Sequence, residues 1–427
     1  MNFFIAVVSL FVVLMLPSHV ALAANKLSAQ QYVSLLLKKS EQGYLSVPHG
    51  KLWYWFVKAD KPDAPLTIWL NGGPGCSSMF GLFAGNGPYL LQNLAASTQS
   101  PGYQFKSNPY AWTKLSNMIY LDNPVGTGFS LLSRYDTTPT EIRQDVVHAL
   151  KEFYNLHPEL KKIPLFIFGE SYAGKYIPDI AYEIKRHTDF NLKGIGIGNG
   201  FIDPESNNVA QTIFAKNNAL ITEQQELDLL SRVQSIWKHF YVTRRVGRQP
   251  NLHLDEAAAY YALDQINKIL KQKYGANELN NYDIRRITRP YDDSNLQLFL
   301  NDKQYRPINA QGEWKECGQH DGAVKKSLMT SIPASSAPMI VRLLRDDRLP
   351  VLIFNGMDDL MVPYLSHKLW LNKYGISLEP EDTDGLVYHA TAYPLSLVFI
   401  KNSGHMVVMD QPKLAYELFA AFIQQHR

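Results

Sequence analysis

The chain of 427 residues carries 42 Lys+Arg against 39 Asp+Glu, a net charge of +3, and 46% of it is hydrophobic. That apolar content excludes a globally disordered chain, and the near-balance of charge leaves no electrostatic footprint for nucleic acid. At roughly 100–200 residues per domain, the length suits one large domain or a core carrying an insertion.

The chain opens on an almost wholly apolar run, Phe3 to Leu16, followed by Ala21-Leu22-Ala23, which has the small-x-small form of a signal-peptidase site. The run falls short of the about 20 residues a membrane span needs. No Lys or Arg precedes it, which is off-pattern, yet the reading is a cleaved secretory signal over residues 1–23 and no membrane association afterwards. Cys76 and Cys317 are the only cysteines. They lie in no Cys/His cluster of zinc spacing, so no metal is expected, and in an exporting pathway one bridge between them is the simple expectation.

Short β-branched and aromatic runs then alternate with amphipathic stretches, the pattern of an α/β core. Leu52–Val57, with Trp53 and Trp55, reads as an antiparallel edge strand. Further strands are expected at Leu66–Leu70, Met118–Asp122, Leu165–Phe168, Gly194–Ile197, Val351–Phe354 and Ser396–Ile400. Thr138, Pro139 and Glu141 form a helix start with a capping box, and Ile142, Val146, Leu150 and Phe153 make its apolar face. From about Pro204 to Ser335 the strand rhythm stops and the chain turns polar and helical, with helices expected over Glu223–His239 and Ala257–Tyr274. The expected organisation is core over 24–204, a mostly helical cap insertion over 205–335, and core again over 336–427. Arg244-Arg245 and Arg285-Arg286 read as solvated surface.

The chemistry is densest at Gly169-Glu170-Ser171-Tyr172-Ala173-Gly174, where a strand enters a Gly-x-Ser turn and a helix is expected from near Tyr176. Such a turn lifts a serine hydroxyl clear of the sheet as a nucleophile. A serine needs a base, and the base needs an orienting acid, each after a later strand. Val351–Phe354 leads into Asn355-Gly356-Met357-Asp358-Asp359, and Ser396–Ile400 leads into Gly404-His405. Ser171, Asp359 and His405 therefore stand in the order and on the kind of turns this chemistry requires. Asn71-Gly72-Gly73-Pro74-Gly75 follows an early strand, where backbone N–H donors for an oxyanion are placed. Gly194-Ile-Gly-Ile-Gly198 lacks the spacing of a dinucleotide loop, so no cofactor is expected.

Together, Asn71–Ser78, Leu121-Asp-Asn-Pro-Val-Gly-Thr-Gly-Phe-Ser130, Gly169–Gly174, Tyr282-Asp-Ile-Arg285 and Gly404-His-Met-Val407 resemble the serine carboxypeptidase family, which includes the cathepsin A, yeast vacuolar and vitellogenic-like carboxypeptidases. The resemblance implies an α/β-hydrolase fold, a mixed and mostly parallel sheet flanked by helices with a helical cap. It implies release of one residue from the free C-terminus of a peptide or protein, in a secreted or lysosome-like acidic setting, and it admits a homodimer. Residue by residue, it implies Ser171 as nucleophile, His405 as base and Asp359 as its orienter, with the N–H groups of Gly73 and Tyr172 as oxyanion hole. Asn71, the Gly72 amide and Glu170 would bind the substrate's terminal carboxylate.

Three positions depart from the family pattern. Gly85 stands where an acidic residue is usual, Val408 where Gly-His-Met-Val is followed by Pro, and Asp358 competes with Asp359 for the triad role. The alternatives are an acyltransferase or esterase on the same fold, or a catalytically idle protective or binding protein.

Overall fold

The computed structural model describes residues 26–92, 103–245, 252–275, 279–287, 291, 294–317 and 322–427. The signal peptide expected over 1–23 lies outside them. Ten strands form the path of the main sheet: β1 Ser40–Val47, β2 Gly50–Val57, β3 Leu66–Leu70, β4 Asn117–Leu121, β5 Leu165–Glu170, β6 Leu192–Gly198, β7 Val351–Gly356, β8 Leu378–Pro380, β9 Val387–Ala390 and β10 Leu395–Ile400. Their spatial order is β8-β9-β10-β7-β6-β5-β3-β4-β2-β1, with the two-residue strand Leu131–Leu132 paired to β2. From β10 to β4 every neighbour is parallel, and antiparallel hairpins close both flanks.

The central strands read as unbroken apolar runs because both faces are covered. In β5, Leu165 and Ile167 pack on one side with helices α1 (Pro139–Leu156) and α2 (Ala173–His187), through Val146, Ile177 and Ile180. Phe166 and Phe168 face the other layer, where Phe419 and Phe422 of the C-terminal helix and Trp112 meet them. Truncating one such ring to Ala costs about 3–5 kcal/mol. Helix α1 starts as expected: Thr138 Oγ1 accepts from the Glu141 N–H at 3.3 Å, while Glu141 Oε2 accepts from the Thr138 N–H at 3.2 Å.

The six other strands appear where expected, with ends shifted by up to two residues. The expectation for Leu52–Val57 is corrected: β2 lies inside the sheet, between β4 and β1. Its residues LWYWFV contain no polar alternate, so Tyr54 and Phe56 enter one layer while Trp53, Trp55 and Val57 enter the other. A strand buried on both faces suits the interior.

Between β6 and β7 the chain is mostly helical, with α3 Pro204–Asn217, α4 Glu223–Arg245 and α5 Leu252–Tyr274, then helices Ser294–Asn301 and Ala323–Ser327. Leu296, Phe299, Leu300 and Trp314 of this stretch are buried in the same cluster as Trp53 and Phe83, so its later part packs directly on the core layer. The expected bridge is present: Cys76 and Cys317 are bonded across 241 positions. Loop-closure entropy alone would assign such a link about 5 kcal/mol.

Candidate active site

Strand β5 ends at Glu170 and α2 begins at Ala173, three residues earlier than the sequence suggests, so the whole turn is Ser171 and Tyr172. Ser171 has φ 61°, a left-handed conformation that costs a non-glycine residue roughly 1–3 kcal/mol. Its N–H donates to Gly198 O at 2.9 Å, and its carbonyl accepts from the N–H groups of Gly174 (3.0 Å) and Phe201 (2.9 Å). The end of β6 and the start of α2 thus hold the strained serine from both sides. Close approach demands glycine at two places around it. A Cβ on Gly169 would fall 2.2 Å from Leu70 O, and one on Gly72 would fall 2.5 Å from Tyr172 N.

The loop after β3 is anchored by Asp122. Its Oδ1 accepts from Ser77 Oγ (2.6 Å) and the Ser78 N–H (2.9 Å), and its Oδ2 accepts from the Phe129 N–H (3.0 Å). Ser78 Oγ then accepts from the Asn71 N–H at 3.1 Å. Trp314 donates its indole N–H to Ser77 Oγ at 2.9 Å, so the late part of the insertion also holds this loop. Trp69 Nε1 donates to Asn71 Oδ1 at 2.6 Å, which orients the amide so that Asn71 Nδ2 donates to Glu170 Oε1 at 3.1 Å. Glu170 is buried, and burial pushes its carboxyl up to about 7, against the opposing pull of His405 and the Asn71 hydrogen bond.

His405 and Asp359 meet across the loops after β10 and β7, with His405 Nδ1 2.7 Å from Asp359 Oδ2. Asp359 is fully buried; its Oδ2 also accepts from Asn199 Nδ2 (2.8 Å) and its Oδ1 from the Val362 N–H (3.1 Å). Burial alone would lower the His405 imidazole, but the charge and hydrogen bond of Asp359, helped by Glu170 and Asp410, hold it above its ordinary value. His405 Nε2 is buried and makes no hydrogen bond, to Ser171 Oγ or to any other described group. A loose serine–histidine contact is common before substrate binds. Asp358 instead turns outward, with its Oδ2 3.2 Å from Arg285 Nε.

Gly73, Ser171 and Tyr172 open together onto a cleft of about 560 Å³, walled by Phe201, Tyr260 and Val362 among others. Asn199 went unrecognised in the sequence, because it sits in the glycine-rich run after β6. An Asn directly after a strand end is the local signal, since Asn tolerates the left-handed φ of 43° found there, but its partner is not local.

One further group of metal-capable side chains is present among the described residues: His49, Asp136 and Asp145. His49 Nδ1 lies 2.8 Å from Asp136 Oδ1 and 3.1 Å from Asp145 Oδ1. Arg134 Nη2 stands 2.6 Å from His49 Nε2 and can only donate. Nε2 is therefore the acceptor and Nδ1 carries the proton, so a neutral imidazole turns an N–H, not a metal-ligating lone pair, toward the two carboxylates.

Residues 31–425 match the serine carboxypeptidase family. The chain belongs to that family. Among similar proteins, serine carboxypeptidase 3 of Hordeum vulgare is 33% identical, covering 90% of this chain and 77% of the relative. Serine carboxypeptidase-like 47 of Arabidopsis thaliana is 31% identical over 90% and 78%. The lysosomal protective protein of Mus musculus is 28% identical over 90% of each. The crystal structure of a prohormone-processing carboxypeptidase from Saccharomyces cerevisiae superposes with a TM-score of 0.72, covering 90% of this chain and 91% of that one at 22% identity, which shows the shared α/β-hydrolase fold. This family member is a serine-type carboxypeptidase, and its substrates are peptides.

Proposed function

We propose that Ser171, His405 and Asp359 carry out the carboxypeptidase reaction, releasing one residue at a time from a free C-terminus. His405 Nε2 takes the Ser171 hydroxyl proton as Oγ attacks the carbonyl of the last peptide bond. The N–H groups of Gly73 and Tyr172 stabilise the resulting oxyanion. The imidazolium, steadied by Asp359 at Nδ1, gives its proton to the amine of the departing residue, leaving an acyl-Ser171 ester. Water, deprotonated by His405, then attacks that ester and restores the serine.

The observation that carries the exopeptidase reading is Glu170. A buried carboxyl raised to about 7, fixed by Asn71 and next in sequence to the nucleophile, is protonated in acid. In that form it donates to a substrate carboxylate, whereas two bare carboxylates would repel. Asn71 and the Gly72 amide supply the remaining donors. The test compares a peptide with its C-terminal amide at pH 5: the free acid is cleaved much faster by this reading, and equal rates would overturn it.

The site also fits export to an acidic compartment. A signal peptide over 1–23 and the cystine suit that route, and one relative is named as lysosomal and another, from Apis mellifera, as a venom protein. A homodimer is the assembly to test by sedimentation.

A further inference from the structure

The loops that carry Asp359 and His405 leave different strands, and a short piece of the insertion runs between them. Asn281 O accepts from the N–H groups of Leu360 (3.0 Å) and Met361 (2.9 Å), the Ile284 N–H donates to Asp358 O (3.0 Å), and Tyr282 O accepts from the His405 N–H (2.7 Å). One segment is thus bonded through its backbone to both halves of the Asp359–His405 pair. The fit is close. A Cβ on Gly404 would lie 2.2 Å from Tyr282 O, and the Tyr282 ring stands edge-on to the His405 imidazole at 4.9 Å.

Residues 281–286 have no helix or strand to give them shape. Asp283 supplies it. Its fully buried side chain accepts from Arg285 N (3.1 Å), Nε (2.8 Å) and Nη2 (2.7 Å), and its Oδ2 lies 3.0 Å from Arg286 Nε. The same guanidinium groups reach out of the segment. Arg285 Nε pairs with Asp358 at 3.2 Å and Arg286 Nη2 with Asp410 Oδ1 at 3.3 Å. Asp410 Oδ2 in turn accepts from the Gly404 N–H at 2.8 Å, one residue before the histidine. The paired arginines are exposed, as expected, and at the same time form the outer half of an ionic network around a buried acid.

We infer that Asp283, with Arg285 and Arg286, is a positioning device that sets the separation of the acid loop and the histidine loop. The inference rests on the roles proposed for Asp359 and His405. Asp283 touches neither substrate nor the reacting atoms; it shapes the turn that presents Tyr282 O to the His405 backbone. Misplacing a catalytic group by about 1 Å can cost about a hundredfold in rate.

The test uses the full-length enzyme carrying Asp283→Asn or Arg285→Gln, with active sites titrated to completion by a fluorophosphonate so that rates refer to competent sites. By the positioning role, kcat per titrated site falls about tenfold or more while KM stays within about twofold. The charged groups facing His405 are Asp359 on the acid loop, Glu170 at the end of β5 and Asp410 after the histidine loop. A looser Asp359 contact supports the imidazolium less, so the acid limb of kcat/KM moves to lower pH. A per-site kcat and pH profile equal to wild type, with only the yield of folded enzyme reduced, overturns the proposal. If Asp283→Asn is not recovered folded, Arg285→Gln decides by the same readouts, since that side chain is 32% exposed. Full activity in Asp359→Asn would instead sink the underlying triad assignment.

Discussion

Gly85 lies against Val408: a Cβ at position 85 would come 3.0 Å from Val408 Cγ2. Two of the three sequence departures from the family pattern are therefore neighbours in space. Gly85 ends the π-helical turn Gly81–Gly85, and a Cβ at its other end, Gly81, would approach Asn71 Oδ1 at 3.0 Å. Val408 follows the histidine loop and is buried. The valine methyl takes up the room that a side chain at 85 would enter. Gly85→Glu alone should be destabilised by about 1–3 kcal/mol of overpacking, and adding Val408→Ala should recover most of that loss. In the double variant the preference for a free C-terminus over its amide should rise about tenfold, the worth of one more hydrogen bond to a charged group. Melting curves and paired kcat/KM values for the two substrates check both parts.

Asp359→Asn should lower kcat by roughly four orders of magnitude, as loss of the orienting acid does in other triads. Asp358→Asn removes only a partly exposed ion pair with Arg285, and its effect should stay within about threefold. Ser171→Ala should be inert and unlabelled by a fluorophosphonate. Steady-state rates and labelling of the three variants separate the assignments, and the reverse ranking of the two aspartates would transfer the role.

Glu170→Gln tests the proposed carboxylate site. The wild-type acid, raised to about 7, donates only below that pH, so activity on free peptides should fall on an alkaline limb near pH 7. Glutamine donates at any pH, so the variant should lose that limb. On the acid side the wild-type carboxyl is already neutral, so the acid limb set by His405 should stay in place. Profiles of kcat/KM from pH 4 to 9 test both expectations at once.

Stability should also favour acid. Asp136 is pushed up to about 7 by burial and by the charge of Asp145, against the pull of His49; Glu170 reaches about 7 through burial. Both carboxyls hold their protons more tightly folded than unfolded. Their contribution is therefore complete below about pH 4, the unfolded range, and is lost as pH rises through about 7. Tm should fall between pH 5 and 8, and Asp136→Asn should flatten part of that slope. A Tm that climbs across this interval would contradict the account.

The sheet was legible because its strands are apolar runs ending in chemically distinctive turns: Phe166 and Phe168 announce a buried strand, and Gly169-Glu170-Ser171 announces its exit. The capping box at Thr138 was equally local. What escaped was whatever depended on a partner remote in sequence. Nothing around Trp53 says that β4 and β1 flank it, and nothing around Asn199 says that Asp359, 160 positions later, accepts from its amide. Arg285 and Arg286 are solvated, as their sequence suggests, but the buried acid they enclose and the two loops they join come together only in the fold.

The loop bearing Gly73 is held by Trp314 through Ser77 and by Cys317 through Cys76, while the proposed base is His405. A ribosome that has made the chain only to Gly200 has already delivered the proposed nucleophile and oxyanion loop, yet has delivered neither the tether nor the proposed base. On those proposed roles, synthesis order sets the order of assembly: the catalytic set is complete only when the last strand of the sheet, β10, and the histidine behind it have emerged.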